Sequence, residues 1–390
     1  MKTAIVYDRV NKWGGAERVL LALHEMFPEA PLYTSVYDEK RAPWAKVFPK
    51  VIPSFLQKIP FMQRRHEILA FLMPVAFETL DFSGYDLVIS VTSEAAKGII
   101  TKPGTFHICY CLTPTRYLWS HCETYLQGLT LQAVTKPIVS YLRAWDRIAS
   151  QRPDVMVAIS TEVQMRIKRY YDRDPGIIFP PVEIVKFQTP KPRLRGHDYG
   201  YPDIAYQSIS DVDYVVKSGE KREKKFYLIV SRLVRYKKVD LAIEAFNELG
   251  FPLVVVGTGS EEKKFKSKYK FKKNIIFKGF VTDEELVDLY KGAKAFVFPQ
   301  EEDFGIAAVE SQAAGTPVIA YKKGGSLDTV IDGKTGVFFE KQNKESLIKA
   351  VKRFEKMKFD RDVLIKNAER FSKERFKKEF KKVVEKHMNR

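Results

Sequence analysis

Glu302 and Glu310 stand eight residues apart in the segment FPQEEDFGIAAVESQAAGTPVIAYKKGGSLDTVIDG, residues 298–333. Between them, the backbone N–H groups of Phe304, Gly305, Ile306 and Ala307 fall where a helix is expected to begin, and such a terminus offers unpaired donors to a phosphate. A carboxylate in the loop and another about two turns along can accept hydrogen bonds from sugar hydroxyls on opposite sides of that phosphate. The arrangement suits a nucleotide-sugar, with Glu310 at the ribose and Glu302 at the transferred sugar. On the two acids alone, a solvated loop and an exposed helix glutamate fit equally well. Two cations, Arg232 and Lys237, follow the apolar run Phe226–Val230. At the C-terminal end of a parallel strand they face the ligand crevice, where they can neutralise a diphosphate and stabilise it as a leaving group. Near the start of the chain, Gly14 and Gly15 join a strand to a helix, a second phosphate-holding arrangement that also serves plain chain reversal.

The elements that must position these residues read as an alternation. Ala295–Phe298, bounded by Pro299, is expected to be a buried strand. The acidic loop follows, then a helix with Ile306, Val309 and Ala313 at helical spacing and Gly315 as its C-cap, then a strand from Val318. Further strands are expected at 3–7, 85–90, 154–160, 226–230, 253–257 and 275–277, and helices at 16–27, 239–249 and 283–291. Two halves of strand–helix alternation imply two doubly wound α/β domains. The paired Pro180-Pro181 falls between the two halves. The expected organisation is an N-terminal domain over 1–182, a linker and polar insertion over 183–223, a second domain over 224–365, and a basic helical tail over 366–390.

Lys and Arg number 66 against 48 Asp and Glu, a net charge of +18. That excess suits an anionic partner, or the solvated surface of a lysine-rich protein. A hydrophobic content of 45% and an aromatic content of 13% exclude a disordered chain. Cys109, Cys111 and Cys122 form neither zinc spacing nor a disulfide framework with the histidines, which fits a reducing cytoplasm. The chain opens directly on a strand, with no signal peptide expected, and no apolar run reaches the ~18–20 residues that span a bilayer. Residues 44–77 mix cations with large apolar groups, as an interfacial patch on anionic lipid would, or as an ordinary packed helix would. No aromatic-basic RNA signature or recognition-helix motif is present, so nucleic acid is not an expected partner. Asp211-Val212-Asp213 matches a metal-binding pair by chance only; no metal site is expected.

The segment 298–333 as a whole, with Glu-x7-Glu enclosing Phe-Gly and followed by Ala-Gly-Thr-Pro-Val and Gly-Gly, resembles the donor-site signature of retaining GT-B glycosyltransferases of family four, glycosyl transferases group 1. Asp303 departs from the glycine usual there. Gly14-Gly15-Ala16-Glu17-Arg18 is similar to the first glycine-rich loop of that family, and Arg232-x4-Lys237 to its phosphate pair. Residues 107–119 resemble the Cys-Tyr-x-His-Thr-Pro-x-Arg-Tyr-x-Trp segment of mannosyltransferase-like members, with Leu112 where the pattern has histidine. His107 and His121 are read as structural. The resemblance covers most of the chain apart from about 189–223.

The resemblance implies a GT-B fold: two Rossmann-like domains facing a cleft, with the C-terminal helix returning to the first domain. It implies a retaining, metal-independent hexosyltransferase. Glu302, Arg232 and Lys237 would act at the reaction centre. Gly14, Gly15, Phe304, Gly305, Ile306, Ala307 and Glu310 would hold the donor, and backbone groups at Gly279 and Val281 its base. The co-substrate would be a nucleotide-sugar, GDP-mannose by preference, with no other cofactor. The acceptor would be a lipid-linked or polysaccharide saccharide, used in the cytoplasm or on the inner face of the cell membrane. A UDP-sugar donor and an inactive binding or scaffold protein on the same fold are the alternatives, the latter suggested by Leu112.

Overall fold

Short runs of branched and aromatic residues, several buried from end to end, build two parallel sheets in the computed structural model, which describes residues 1–59, 70–120, 132–188 and 226–388. Strands buried on both faces read as continuous apolar runs because helices cover the sheet on either side. The chain divides into two units. Met1–Pro181 with Glu374–Arg390 form one, and the described residues from Val182 to Lys373 form the other.

The first unit carries β1 (Thr3–Tyr7), β2 (Leu32–Thr34), β3 (Val51–Pro53), β4 (Leu87–Thr92), β5 (Phe106–Cys111), β6 (Val155–Ala158) and β7 (Gly176–Ile177). They pair in parallel in the order β3-β2-β1-β4-β5-β6-β7. The order reverses between β1 and β4, which is where a doubly wound sheet opens its ligand crevice. Helices Gly15–Met26, Gln132–Ser150 and Thr161–Tyr171 belong to this unit, as does most of the last helix, Lys373–Met388. Phe376 and Phe380 of that helix meet Tyr110 of β5 edge-on, with ring centroids 5.6 and 6.3 Å away. The tail expected from 366 is interrupted. Arg361–Glu369 is a separate helix of the second unit, ended near Phe371, whose ring is buried against Phe304.

Much of the apolar content of 44–77 is core. Trp44, Phe48, Leu56, Met73 and Phe77 are buried, while Val47, Phe55, Phe71 and Val75 are exposed. Residues 60–69 of that stretch, the insertion at 189–223 with Asp211 and Asp213, and His121 and Cys122 lie outside the described residues.

The second unit carries β8 (Phe226–Val230), β9 (Leu253–Val256), β10 (Ile275–Gly279), β11 (Ala293–Phe298), β12 (Val318–Tyr321) and β13 (Gly336–Phe339). Their order is β10-β9-β8-β11-β12-β13, all parallel, with the reversal between β8 and β11. Helix Val239–Leu249 buries Val239, Ala242, Ile243 and Phe246 at helical spacing. These side chains join Tyr227, Ile229, Val255, Val297, Ile319 and Val351 in one core. The two doubly wound units expected from the alternation are therefore present, and among the described residues no helix is long and apolar enough to cross a membrane.

Candidate active site

In the second unit, the chain leaves β8 and β11 side by side, and both exits carry residues singled out by the sequence. After β8, Ser231 and Leu233 donate to the carbonyls of Val256 and Thr258, at 3.0 and 2.8 Å, which continues the pairing beyond the strand. Gly257 and Gly259 make this approach feasible. A Cβ on Gly257 would lie 2.0 Å from the Ser231 carbonyl oxygen, and one on Gly259 2.3 Å from that of Leu233. The chain then makes a single turn, Arg235–Lys237, and Lys238 takes a left-handed conformation at φ 52° before helix Val239–Leu249. A positive φ is unusual for a lysine, and it turns the chain from this single turn into the helix.

After β11, the loop bearing Glu302 is clamped through its backbone. Glu302 bridges to Gly324, and the Gly325 N–H donates to the Glu302 carbonyl at 2.8 Å. Side chains at 324 or 325 would collide with this loop: a Cβ on Gly325 would lie 2.3 Å from the Phe304 Cα. The Glu302 carboxylate is ion-paired with the Lys237 ammonium, which also hydrogen-bonds to it, and the two side chains are 19% and 12% exposed. Residues 65 positions apart are thus brought together where the strand order reverses.

Gly305, at φ 93°, turns the chain into helix Ile306–Ala313, and a Cβ there would come 2.9 Å from the Phe298 ring. No side chain caps this helix, and its first turn carries no acid, so the N–H groups at Ile306 and Ala307 keep the character of an anion site. Phe304 contributes only backbone here, since its ring is buried against Phe371 at 5.4 Å. Glu310 sits farther along the helix, only 3% exposed, and accepts from the Tyr290 hydroxyl at 3.3 Å. Arg232 is exposed, donates to the Tyr236 hydroxyl and lies over that ring at 5.9 Å. Lys237 stands over the same ring at 5.2 Å, so both cations are held against Tyr236. Gly279 closes β10 at φ 69° and Val281 is half-buried beyond it. Among the described residues, no group of three or more His, Cys, Asp or Glu is placed to hold a metal ion.

Gly14 and Gly15 lie in the first unit, at the N-terminus of helix Gly15–Met26. The carboxylate of Glu17 occupies that terminus: a Cβ on Gly14 would stand 3.1 Å from its Oε2, and Tyr7 donates to its Oε1 at 3.0 Å. Burial raises the Glu17 pKa, while the backbone N–H groups of Glu17 and Gly14 and the Tyr7 hydroxyl pull the other way. The glycine turn is thus already faced by an anion of the chain itself.

Around the β1/β4 reversal lies a set of buried polar residues that spacing did not reveal. Asp8 accepts from Thr92 Oγ1 at 2.8 Å and from the N–H groups of Ser93, Ala95 and Ala96 at 2.6, 3.0 and 2.9 Å. Arg9 pairs with Glu94 at 2.6 Å. Burial raises the Glu94 pKa, and Arg9 offsets part of that rise. Lys97 and Asp146, each 1% exposed, pair at 2.6 Å. Asp146 also accepts from Thr115 at 3.0 Å, Trp119 at 2.8 Å and Tyr171 at 2.7 Å. One carboxylate therefore fixes the stretch 113–119 to two helices. The position of Asp8 just after a strand is a sequence signal that could have been read; Asp146 shows only as a polar residue in an amphipathic helix. Leu112 is half-buried beside this stretch, and its N–H donates to Thr92 O at 2.7 Å. His107 is fully buried against Ser90, at 2.8 Å.

Part of the chain resembles known proteins in sequence, and the whole fold resembles solved structures. Residues 213–371 match the family described as "Glycosyl transferases group 1". The chain is 30% identical over 166 residues to mannosylfructose-phosphate synthase of Agrobacterium fabrum, covering 38% of this chain and 37% of that protein. It is 29% identical over 194 residues to alpha-1,3/1,6-mannosyltransferase ALG2 of Dictyostelium discoideum, covering 43% and 44%. The match thus spans less than half the length of these curated relatives. The fold superposes on sucrose-phosphate synthase from Thermosynechococcus elongatus with a TM-score of 0.69 at 17% identity, covering 99% of both chains. It superposes on Anabaena HepE with a TM-score of 0.64 at 16% identity, covering 98% and 99%. The two parallel-sheet α/β units have the architecture of the GT-B glycosyltransferases, and residues 213–371, which carry Arg232, Lys237, Glu302 and Glu310, match the glycosyl transferases group 1 family.

Proposed function

We propose that the protein is a retaining hexosyltransferase that moves mannose from GDP-mannose to a lipid-linked or polysaccharide acceptor. The observation that carries this reading is the Lys237–Glu302 pair at the exits of β8 and β11, beside the uncapped start of helix Ile306–Ala313. A cation, an open helix terminus and a fixed carboxylate supply what a sugar diphosphate requires.

In the proposed reaction, the N–H groups at Gly305, Ile306 and Ala307 with Arg232 and Lys237 hold the diphosphate and stabilise its charge as it leaves. Glu302 accepts hydrogen bonds from hydroxyls of the transferred sugar. Glu310 serves the ribose, and backbone groups at Gly279 and Val281 serve the base. The bond from the anomeric carbon to the phosphate oxygen breaks, and the acceptor oxygen bonds to that carbon on the same face. The acceptor proton passes to the departing diphosphate oxygen, so the configuration is kept and no side-chain nucleophile is needed. For Gly14 and Gly15, a role at the diphosphate rests on sequence resemblance alone. Cations of the chain take the place of a metal in this scheme. A lipid-linked acceptor would be met at the cytoplasmic face of the membrane.

Mannose is preferred because ALG2 and the segment 107–119 both point to mannosyltransferases. UDP-glucose is the second reading, since HepE was solved with UDP-glucose on the same fold. Incubation with labelled GDP-mannose or UDP-glucose and a mannose-terminated acceptor, read by the anomeric proton resonance of the product, tests the proposal. An α-linked product from an α-linked donor, formed equally with a chelator present, is expected. A β-linked product, or loss of turnover on chelation, contradicts the mechanism, and binding without turnover would identify an inactive scaffold.

A further inference from the structure

The stretch that leads into β10 carries seven lysines between positions 263 and 273. Three are ion-paired: Lys264 with Glu261, Lys266 with Glu262, and Lys268 with Glu244, at 3.2, 2.8 and 2.9 Å. The other four, Lys263, Lys270, Lys272 and Lys273, are exposed and form no ion pair among the described residues. Between Lys270 and Lys272 in the chain, Phe271 is 88% exposed, more than any other large apolar side chain described. Lys270 stands 5.7 Å from its ring centroid.

This exposure is built in. Phe265 and Tyr269 are buried in the core of the second unit, and Tyr269 donates to Glu244 at 3.4 Å. On the far side, the Asn274 amide donates to the carbonyls of Phe246 and Phe251 at 2.9 and 3.1 Å. The Lys272 N–H closes the turn onto the Tyr269 carbonyl at 3.0 Å. With both ends fixed, Phe271 stands at the tip of a held turn and has no way into the core. A single exposed apolar side chain is ordinary. One flanked along the chain by Lys270, Lys272 and Lys273, none of them ion-paired among the described residues, has the chemistry of an interfacial anchor, with the apolar knob at acyl depth and cations at the phosphates.

We propose that Phe271 with Lys270, Lys272 and Lys273 docks the second unit on an anionic lipid bilayer. The turn precedes β10, so it lies at the N-terminal edge of the sheet, whereas the residues of the candidate active site leave its C-terminal edge. The anchor and the donor site are therefore separate, and this inference stands whether or not the protein transfers sugars. Lipid fits better than a polynucleotide. Stacking successive bases needs a series of accessible rings, and here the neighbouring aromatics, Tyr269 and Phe265, are buried. The turn also lacks arginine, which suits the diffuse field of a headgroup layer more than fork-shaped recognition of single phosphates.

Co-sedimentation of the full chain with vesicles of phosphatidylcholine alone, and of phosphatidylcholine with an equal part of phosphatidylglycerol, tests this. Binding to the anionic vesicles only is expected. Phe271→Ser should weaken it about tenfold, and Lys270→Gln/Lys272→Gln/Lys273→Gln about a hundredfold. The charge-matched variant Lys349→Gln/Lys352→Gln/Lys356→Gln, on the exposed basic face ending helix Lys344–Phe354, should bind as the parent does. Equal loss in both lysine variants would mean that net charge alone drives binding and would overturn the proposal. So would absence of binding to the anionic vesicles, or a single-stranded polynucleotide bound more tightly than the vesicles and released by Phe271→Ser.

Discussion

Lys237, on the turn after β8, is ion-paired with Glu302, on the loop after β11, although neither strand's residues alone would bring them into reach. The pairing of β8 with β11 does so, because β8 and β11 flank the one place where the strand order of this sheet reverses. A charge removed from one partner therefore changes the other. Lys237→Ala is expected to lower the transfer rate by about two to three orders of magnitude, as loss of a charge-stabilising donor does. The pair is only partly shielded from solvent, so the stability change should be about 1–2 kcal/mol. Steady-state kinetics and urea unfolding on the same variant separate the two effects.

The glycines opposite this loop give a second test. Gly325→Ala would push its Cβ into the Phe304 backbone and move the clamp on Glu302. Donor affinity is expected to fall at least about tenfold, within the 1–3 kcal/mol of strain such a contact imposes. Calorimetric titration with the donor, alongside a far-UV spectrum matching the parent, checks that the loop moved and the fold did not.

Acid should weaken the first unit through His107. Burial, then the charges of Arg173 and Arg152, hold its pKa down to about 3, against an ordinary 6.5. The native state thus keeps the ring neutral while the unfolded chain takes up a proton. Stability from this group is whole above about pH 6.5 and is lost as the pH falls toward 3, at about 1.4 kcal/mol per pH unit. Urea unfolding of the parent and of His107→Gln at neutral and at mildly acid pH should show the smaller loss in the variant. An equal loss would assign the acid sensitivity elsewhere.

The Lys97–Asp146 pair should be asymmetric. Burial presses Lys97 toward its neutral form, yet Asp146 holds its pKa above the ordinary value. Lys97→Met leaves Asp146 with the Thr115, Trp119 and Tyr171 donors, whereas Asp146→Leu takes the acceptor from Trp119 and Tyr171 and the counter-charge from the buried ammonium. Breaking a buried pair costs about 3–5 kcal/mol, and the aspartate variant should lie at or beyond the upper end. Guanidinium unfolding of each variant decides the order.

Much of the second unit was legible in the sequence. Strands buried on both faces give unbroken apolar runs such as Ala295–Phe298, and glycines mark the turns at 305 and 315. The Lys237–Glu302 contact was not legible, because it depends on which strands become neighbours. Nor was the burial of Glu310 or the covering of the Gly14-Gly15 turn by Glu17, since charged residues ordinarily read as exposed. In residues 44–77, lysines beside large apolar groups fit an interfacial patch or a packed core alike, and the structure shows both kinds of side chain: Trp44, Phe48 and Phe77 face inward, while Val47, Phe55, Phe71 and Val75 are exposed. A period in sequence cannot tell a core face from a membrane face, whereas a tip held outward, as at Phe271, is visible only in the fold.

The most direct test of a nucleotide-sugar site in the second unit is the melting temperature with and without GDP-mannose, for the parent and for Arg232→Ala. Arg232 is exposed and, among the described residues, its side chain meets Tyr236, so its loss should leave the unliganded melting temperature unchanged. A donor at about a hundred times its Kd adds about 2.7 kcal/mol to the native state, a shift of several degrees. The account predicts that shift in the parent and a clearly smaller one in Arg232→Ala. No shift with GDP-mannose or any other nucleotide-sugar, or an equal shift in both proteins, would contradict it.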